Sequence, residues 1–141
     1  MAYVFDIYLA KLTSGAANWS SLDVRMLVTE NATVYTPAKS LSTVAAVLGV
    51  CTETTATGYA RQALTGESDD PATDKRVLSA DAVTFPITQA GKTLAGGLLY
   101  AFDTDDATSW PISWHPEVAG VTLGTDVVWV PTAGIIEVVR V

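Results

Sequence analysis

Short apolar segments, each about ten residues from the next, divide the chain from residue 55 onward. Proline, glycine or aspartate bounds each segment, and the segments are too short for ordinary globular helices. The chain also contains 17 valines and 19 threonines, which are β-branched residues that favour strands. Short strands joined by tight turns at this spacing are typical of a sandwich or a barrel. We therefore predict a mainly β fold, an antiparallel β-sandwich or barrel-like domain.

Two of the predicted strands have informative patterns. In residues 22–29, Leu22, Val24 and Met26 alternate with polar residues, which predicts a half-buried strand. Residues 96–102 are almost continuously apolar, which predicts a central strand, and Gly96-Gly97 indicates close backbone packing or a bulge. The remaining predicted strands are 59–64, 76–79, 82–85, 111–114, 127–130 and 135–141, and residues 67–74 form a predicted Asp-rich loop.

A short helix is predicted over residues 3–12. Phe5, Tyr8, Leu9 and Leu12 share one helical face, and Ser14-Gly15 follows as a stop signal. The same stretch also alternates as a strand would, so the pattern favours a helix without excluding a strand.

A second helix is predicted over residues 40–48. Leu41, Val44, Ala45 and Leu48 have helical spacing, Ser40 is the predicted N-cap, and the glycine that follows Leu48 is the predicted C-terminal stop. The fold class thus includes one or two short helices.

Length, charge and composition limit the number of domains and the kinds of partner that the chain can have. The length of 141 residues fits one domain, and no linker divides it, so we predict a single domain over 1–141. The net charge of −7, with eight scattered basic residues, argues against direct nucleic-acid binding. No apolar run reaches the length of a membrane span, and Asp6 interrupts the apolar N-terminus, so neither a membrane segment nor a signal peptide is expected.

The residues that could perform catalysis are few. His115 is the only histidine and Cys51 the only cysteine, which excludes an intrachain disulfide and a classical Cys/His zinc site. Cys51 follows an apolar stretch and is predicted to be a core residue. No Gly-x-Ser-x-Gly elbow accompanies His115. We predict that the protein is not an enzyme and uses no cofactor or metal.

Two acidic clusters are interpreted as turns. Paired carboxylates could serve in hydrolysis or bind Ca²⁺, but the spacing of a calcium loop is absent. Aspartate readily bonds to the backbone of its own turn, so solvated loops are predicted. The clusters consist of Asp69, Asp70 and Asp74, and of Asp103, Asp105 and Asp106.

Three tryptophans form the candidate contact site. Trp110 and Trp114 are four residues apart and, on a regular strand, would share a face. Trp129 lies in a later predicted strand. Tryptophans of a domain this size usually belong to the core or to a subunit interface, so Trp110, Trp114 and Trp129 are a possible interface or ligand platform.

Six segments follow one another in an informative order: 19–29, Tyr35-Thr36-Pro37, 57–64, Ala80 to Phe85, Leu98 to Asp106 and Gly134 to Val141. This order resembles that of a diverse group of small virion structural proteins of tailed bacteriophages. The resemblance spans most of the chain but includes no catalytic signature, and the Trp110–Trp114 strand is usually more aliphatic in that group. The stretch 116–130 is also more hydrophobic than expected.

The resemblance implies a virion protein, made in the host cytoplasm and placed on the capsid exterior. It implies a capsid decoration or cement protein that binds the major capsid protein as a homo-oligomer, with a trimer favoured. The alternatives are a tail or head–tail junction protein, or a carbohydrate-binding virion module that aids host attachment. In the last case Trp110 and Trp114 would stack against sugar rings.

Overall fold

The computed structural model describes residues 3–30, 36–72, 75–87, 89, 93–116, 126–131 and 135–139. These residues form a mainly β, antiparallel structure with few short helices, which confirms the predicted fold class. The elements are β1 Tyr3–Val4, α1 Asp6–Thr13, a 3₁₀ turn Trp19–Ser21, β2 Val24–Thr29, α2 Val44–Leu48, β3 Gln62–Ala63, β4 Ser68–Ala72, β5 Lys75–Ser79, β6 Val83–Phe85, β7 Gly96–Ala101, β8 Trp110–His115, β9 Val127–Trp129 and β10 Ile136–Val139.

The main sheet has five antiparallel strands in the order β1-β8-β7-β2-β3. Strand β7 lies between β8 and β2 and is buried along its whole length. It pairs with β2 over six residues, from Val24 opposite Ala101 to Thr29 opposite Gly96. A strand covered on both faces has no need for polar alternation, so the prediction of a central strand at 96–102 is confirmed.

Two smaller antiparallel sheets pack against one face of the main sheet. One has the order β10-β5-β4, and the other pairs β6 with β9. We call the apolar residues between the layers the first cluster. It joins Val24, Met26, Val28, Leu99 and Ile112 of the main sheet to Leu78, Val83, Phe85, Val127 and Trp129 of the smaller sheets.

Helix α2 covers the opposite face of the main sheet. Its Val44 and Val47 are fully buried and belong to a second cluster. Because this face is covered too, β2 is half-buried only at its start, and the prediction of a half-buried strand is wrong beyond Arg25. The second cluster consists of Phe5, Leu27, Val44, Val47, Cys51, Leu98, Tyr100 and Trp114.

The two predicted helices exist, but both are shorter than predicted. Tyr3 and Val4 pair with β8, so α1 begins only at Asp6, and it ends before Gly15, whose φ is +76°. Helix α2 begins after Thr43, whose side-chain oxygen accepts a hydrogen bond from the Ala46 amide. Ser40 is therefore not the N-cap.

The polar loop predicted at 67–74 is wrong in its larger part, because β4 occupies Ser68–Ala72. Strand β4 is an edge of its sheet, where aspartate and proline are tolerated because one side of the backbone needs no strand partner. The charged residues that suggested a loop thus belong to a strand edge.

Within the ranges that the structure describes, no helix is both long and apolar enough to cross a membrane.

Candidate functional site

Trp110 and Trp114 lie on opposite faces of the main sheet. Ser113 pairs with Leu99 and Pro111 pairs with Tyr100, so Ile112 is an extra residue in β8. Such a bulge changes the alternation of side chains along a strand. Trp110 consequently packs against the first cluster, whereas Trp114 belongs to the second cluster. The prediction that these two tryptophans share a face is wrong.

The indole rings of Trp114 and Trp129 lie in the core. Trp114 is 1% exposed and Trp129 is 4% exposed. Gly96 permits the position of Trp114, because a Cβ at residue 96 would overlap the indole ring. The close packing predicted for Gly96 is therefore confirmed, and these two tryptophans do not form an exposed platform.

The ring of Trp110 is only partly buried, but other side chains of this chain already contact it. It stacks on Tyr8, with 6.0 Å between ring centroids and 21° between ring planes. The Lys11 ammonium lies 5.1 Å from the ring centroid of Trp110. Because Trp114 lies on the other face, Trp110 has no tryptophan partner on β8 for a sugar-stacking surface.

His115 is a buried residue hydrogen-bonded to a serine. Its Nε2 lies 2.8 Å from the Ser113 hydroxyl, and its ring meets the Trp129 ring edge-on with 4.9 Å between centroids. Cys51 belongs to the second cluster, whereas His115 contacts the first through Trp129. Burial raises the pKa of the Cys51 thiol to about 11, so it is not a thiolate at neutral pH. The two residues do not form a nucleophile–base pair.

The acidic cluster after β7 builds a turn. The Asp105 carboxylate accepts hydrogen bonds from the amides of Ala107 and Thr108 at 2.8 and 3.1 Å. This geometry confirms the interpretation of Asp105 as a turn residue. No group of three metal-ligating side chains occurs among the residues that the structure describes. In the other cluster, Asp74 and the side chain of Asp70 lie outside the described part.

A polar cluster around Arg61 is one that the sequence interpretation did not identify. The Arg61 guanidinium binds Glu53 through two hydrogen bonds of 2.7 Å and Asp106 through two of 2.6 and 2.9 Å. Tyr59 donates a 2.7 Å hydrogen bond to Glu53, and Arg61 donates a longer one of 3.4 Å to the Tyr100 hydroxyl. We call these five residues the Arg61 clasp. It joins the segment before β3 to β7 and to the loop after β7.

The electrostatics of the clasp favour a structural role. Arg61 holds the pKa of the Asp106 carboxyl below its usual range. Hydrogen bonds to Glu53 and Asp106 raise the pKa of Arg61, and burial raises the pKa values of Tyr59 and Tyr100. Each of these shifts moves the pKa of the group further from 7, whereas a general acid or base needs a pKa near 7. None of these four groups is therefore tuned for proton transfer near neutral pH.

One sequence signal could have indicated the clasp. Only 16% of the residues are charged, and Arg61 stands in a stretch with few other charges. Such an isolated arginine, flanked by Tyr59 and preceded by Glu53, is a candidate for an internal ion pair. The partner Asp106 could not be identified in this way, because 45 residues separate it from Arg61.

We expect the stabilisation from Asp106 to disappear in acid. The pKa of its carboxyl is lower in the folded protein than in the unfolded chain, so the stabilisation is complete above about pH 4, the ordinary value. It is lost as the pH falls through the folded value. Urea unfolding should show a stability gap between wild type and Asp106→Asn at pH 7 that narrows by pH 3.

Glu53, Tyr59, Arg61 and Tyr100 surround Asp106 in the clasp, and Arg25 on β2 also acts on Tyr100 and Arg61 electrostatically. Both proteins retain these neighbouring side chains, so the comparison between them reports the effect of the carboxylate at residue 106. An equal stability gap at the two pH values would contradict the assignment to Asp106.

Apolar side chains reach the surface at β9. Val127 and Trp129 point into the first cluster, whereas Val128 and Val130 are 55% and 57% exposed. This alternation is that of a strand with one face on the core. Leu9 on α1 and Val50 after α2 are also nearly half exposed. The two valines give the β9 surface an apolar character.

Comparison with protein-family models, with curated proteins and with solved structures finds no match to this chain.

Proposed function

We propose that this chain is a bacteriophage capsid decoration (cement) protein that binds the outside of the major capsid shell and stabilises it. The observation that carries the proposal is a contrast between its polar and apolar side chains. Arg61, Glu53 and Asp106 bind one another within the fold, whereas Val128 and Val130 remain more than half exposed. Adhesion to another protein uses exposed apolar surface and requires no catalytic group.

The physical requirements of a cement protein agree with this arrangement. Burying the exposed part of Val128 or Val130 against a capsid subunit would contribute about 1 kcal/mol each. A contribution of that size becomes large when many copies act on one shell. The net charge of −7 keeps free subunits soluble before assembly and opposes direct contact with DNA inside the head. The segment order that resembles phage virion proteins supports the same proposal.

Virions without this chain provide the direct test. We expect particles from a phage with the gene deleted to release DNA at a lower temperature, and to be more sensitive to chelators, than wild-type particles. Adding the purified chain back should restore the wild-type release temperature. If particles with and without the chain are equally stable, the cement role is wrong.

Substitutions at Val128 test in the same experiment whether the β9 surface is the contact surface. Val128→Asp places a charge on the proposed contact surface, and we expect it to abolish restoration because the charge would lose its water on binding. Val128→Thr keeps the shape and should restore most of the stability. Ala16→Asp adds the same charge at an exposed position beyond α1 and should restore fully. Equal restoration by Val128→Asp and Ala16→Asp would exclude this surface from the contact.

Copy number and oligomeric state test the remaining parts of the proposal. Hundreds of copies per virion support a place on the shell, whereas a few dozen or fewer support a tail or head–tail junction protein. We propose a homo-oligomer with a trimer favoured, and the mass of the purified chain by light scattering tests this. A monomer at all concentrations would contradict it.

A further inference from the structure

Helix α2 depends on a distant loop for its N-terminus. With five residues it is far too short to be stable alone, so neighbouring contacts hold it in place. The Val44 amide donates to the Ser109 carbonyl at 2.9 Å, and the Ala45 amide donates to the Asp106 carbonyl at 2.8 Å. The loop 102–109 between β7 and β8 thus satisfies two of the helix amides that lack a partner within α2.

Asp106 connects this loop to the rest of the domain through its side chain. The carboxylate is bound by Arg61 at 2.6 and 2.9 Å, while the carbonyl of the same residue accepts the hydrogen bond from α2. A movement of Asp106 away from Arg61 would therefore also move the acceptor for the Ala45 amide. The ion pair and the helix N-terminus are coupled through one residue.

The face of α2 that packs on the main sheet is apolar. Val44 and Val47 are fully buried and pack in the second cluster with Leu98 and Trp114. Directly after the helix, the Cys51 amide donates to the Val47 carbonyl at 2.8 Å, and Cys51 is only 3% exposed. Lifting α2 would consequently expose both an apolar face of the main sheet and this thiol.

We propose that α2 and the loop 102–109 form a lid that opens as a unit over the second cluster, and that the Arg61–Asp106 ion pair controls this opening. The rest of the domain keeps its structure when the lid opens, because the first cluster on the other face of the main sheet does not involve α2. The open form presents an apolar surface that the closed form hides. This inference does not rest on the proposed function.

The Cys51 thiol can report this opening, because it is buried in the closed form and is the only thiol of the chain. Labelling of the purified protein with an aromatic disulfide reagent follows the fraction of time that the thiol is accessible. We expect Asp106→Asn to label at least about fivefold faster than wild type, since a charge-assisted pair is lost. Asp103→Asn removes an exposed carboxylate from the same loop and should label at the wild-type rate.

The dependence of labelling on urea separates lid opening from global unfolding. Opening of the lid exposes less surface than global unfolding does, so at low urea the labelling rate should rise less steeply than the global unfolding equilibrium. Hydrogen exchange in Asp106→Asn should accelerate at residues 44–48 and remain unchanged in β2 and β7. Equal labelling of the two asparagine variants would overturn the proposal, as would a wild-type urea slope equal to that of global unfolding.

A second variant keeps the test decisive if Asp106→Asn does not fold. Arg61→Lys retains the positive charge but loses the paired geometry of the guanidinium. We expect its labelling rate to lie between those of wild type and Asp106→Asn. A wild-type labelling rate in a folded Arg61→Lys protein would contradict control by this ion pair.

Discussion

Gly96→Ala is expected to lower the free energy of unfolding by about 3 kcal/mol, because a Cβ at this position would overlap the ring of Trp114. The added carbon would overlap Cζ2 and lie 2.7 Å from Cε2. Neither the backbone at Gly96 nor the Trp114 ring can easily move, since Gly96 pairs with Thr29 at the first position of the buried strand β7 and Trp114 is 1% exposed. Urea unfolding followed by circular dichroism measures the loss.

A double-mutant cycle with Trp114→Leu tests the reason for this loss. Trp114→Leu alone should destabilise the protein, because it leaves a cavity in the second cluster. In that background, however, Gly96→Ala should cost much less, since the smaller side chain leaves room for the Cβ. If Gly96→Ala costs the same in both backgrounds, the contact with Trp114 is not the cause.

Arg61→Ala is expected to lower the free energy of unfolding by about 2 kcal/mol. The substitution removes the shared cation and leaves Glu53 and Asp106 without it at a partly buried site. The side chains of these three residues are only 24% to 34% exposed, so water replaces the lost hydrogen bonds incompletely. Urea and thermal unfolding at neutral pH measure the effect.

Arg25→Ala is the matched control for Arg61→Ala. Arg25 also pairs with a carboxylate, Asp23, but the side chains of that pair are 35% and 47% exposed. Arg25 further lies over the Phe102 ring, at 3.6 Å from the centroid. Exposed pairs contribute little, so we expect a loss below about 1 kcal/mol. Losses of equal size in the two variants would show that the clasp contributes no more than an exposed ion pair.

The strands that sequence reasoning located well are those whose own residues carry the signal. The apolar run at 96–102 and the segments at 76–79 and 82–85 correspond to β7, β5 and β6. Helix α2 also lies within its predicted range, although Thr43 caps it. Strand β4 was missed because its two aspartates and its proline suit a turn as well as a strand edge, and only the pairing with β5 distinguishes these.

The candidate site was less predictable than the fold. Trp110, Trp114 and Trp129 are predicted as a possible interface or ligand platform. Trp114 and Trp129 lie in the core instead, and the prediction that Trp110 and Trp114 share a face is wrong. One extra residue in β8 placed these two on opposite faces. Pro111 in β8 is a sequence signal of irregular pairing, but the position of the extra residue depends on pairing with the neighbouring strand.

The mainly β class, with short antiparallel strands and one or two short helices, can be predicted from the amino-acid sequence, because strand and helix preferences act between residues that are close in the chain. Which distant residues come into contact depends on the tertiary structure. It placed Trp114 against Gly96, joined Arg61 to Asp106 and capped α2 with the loop 102–109. These contacts close long loops, and their formation depends on the packing of the whole domain rather than on any local pattern.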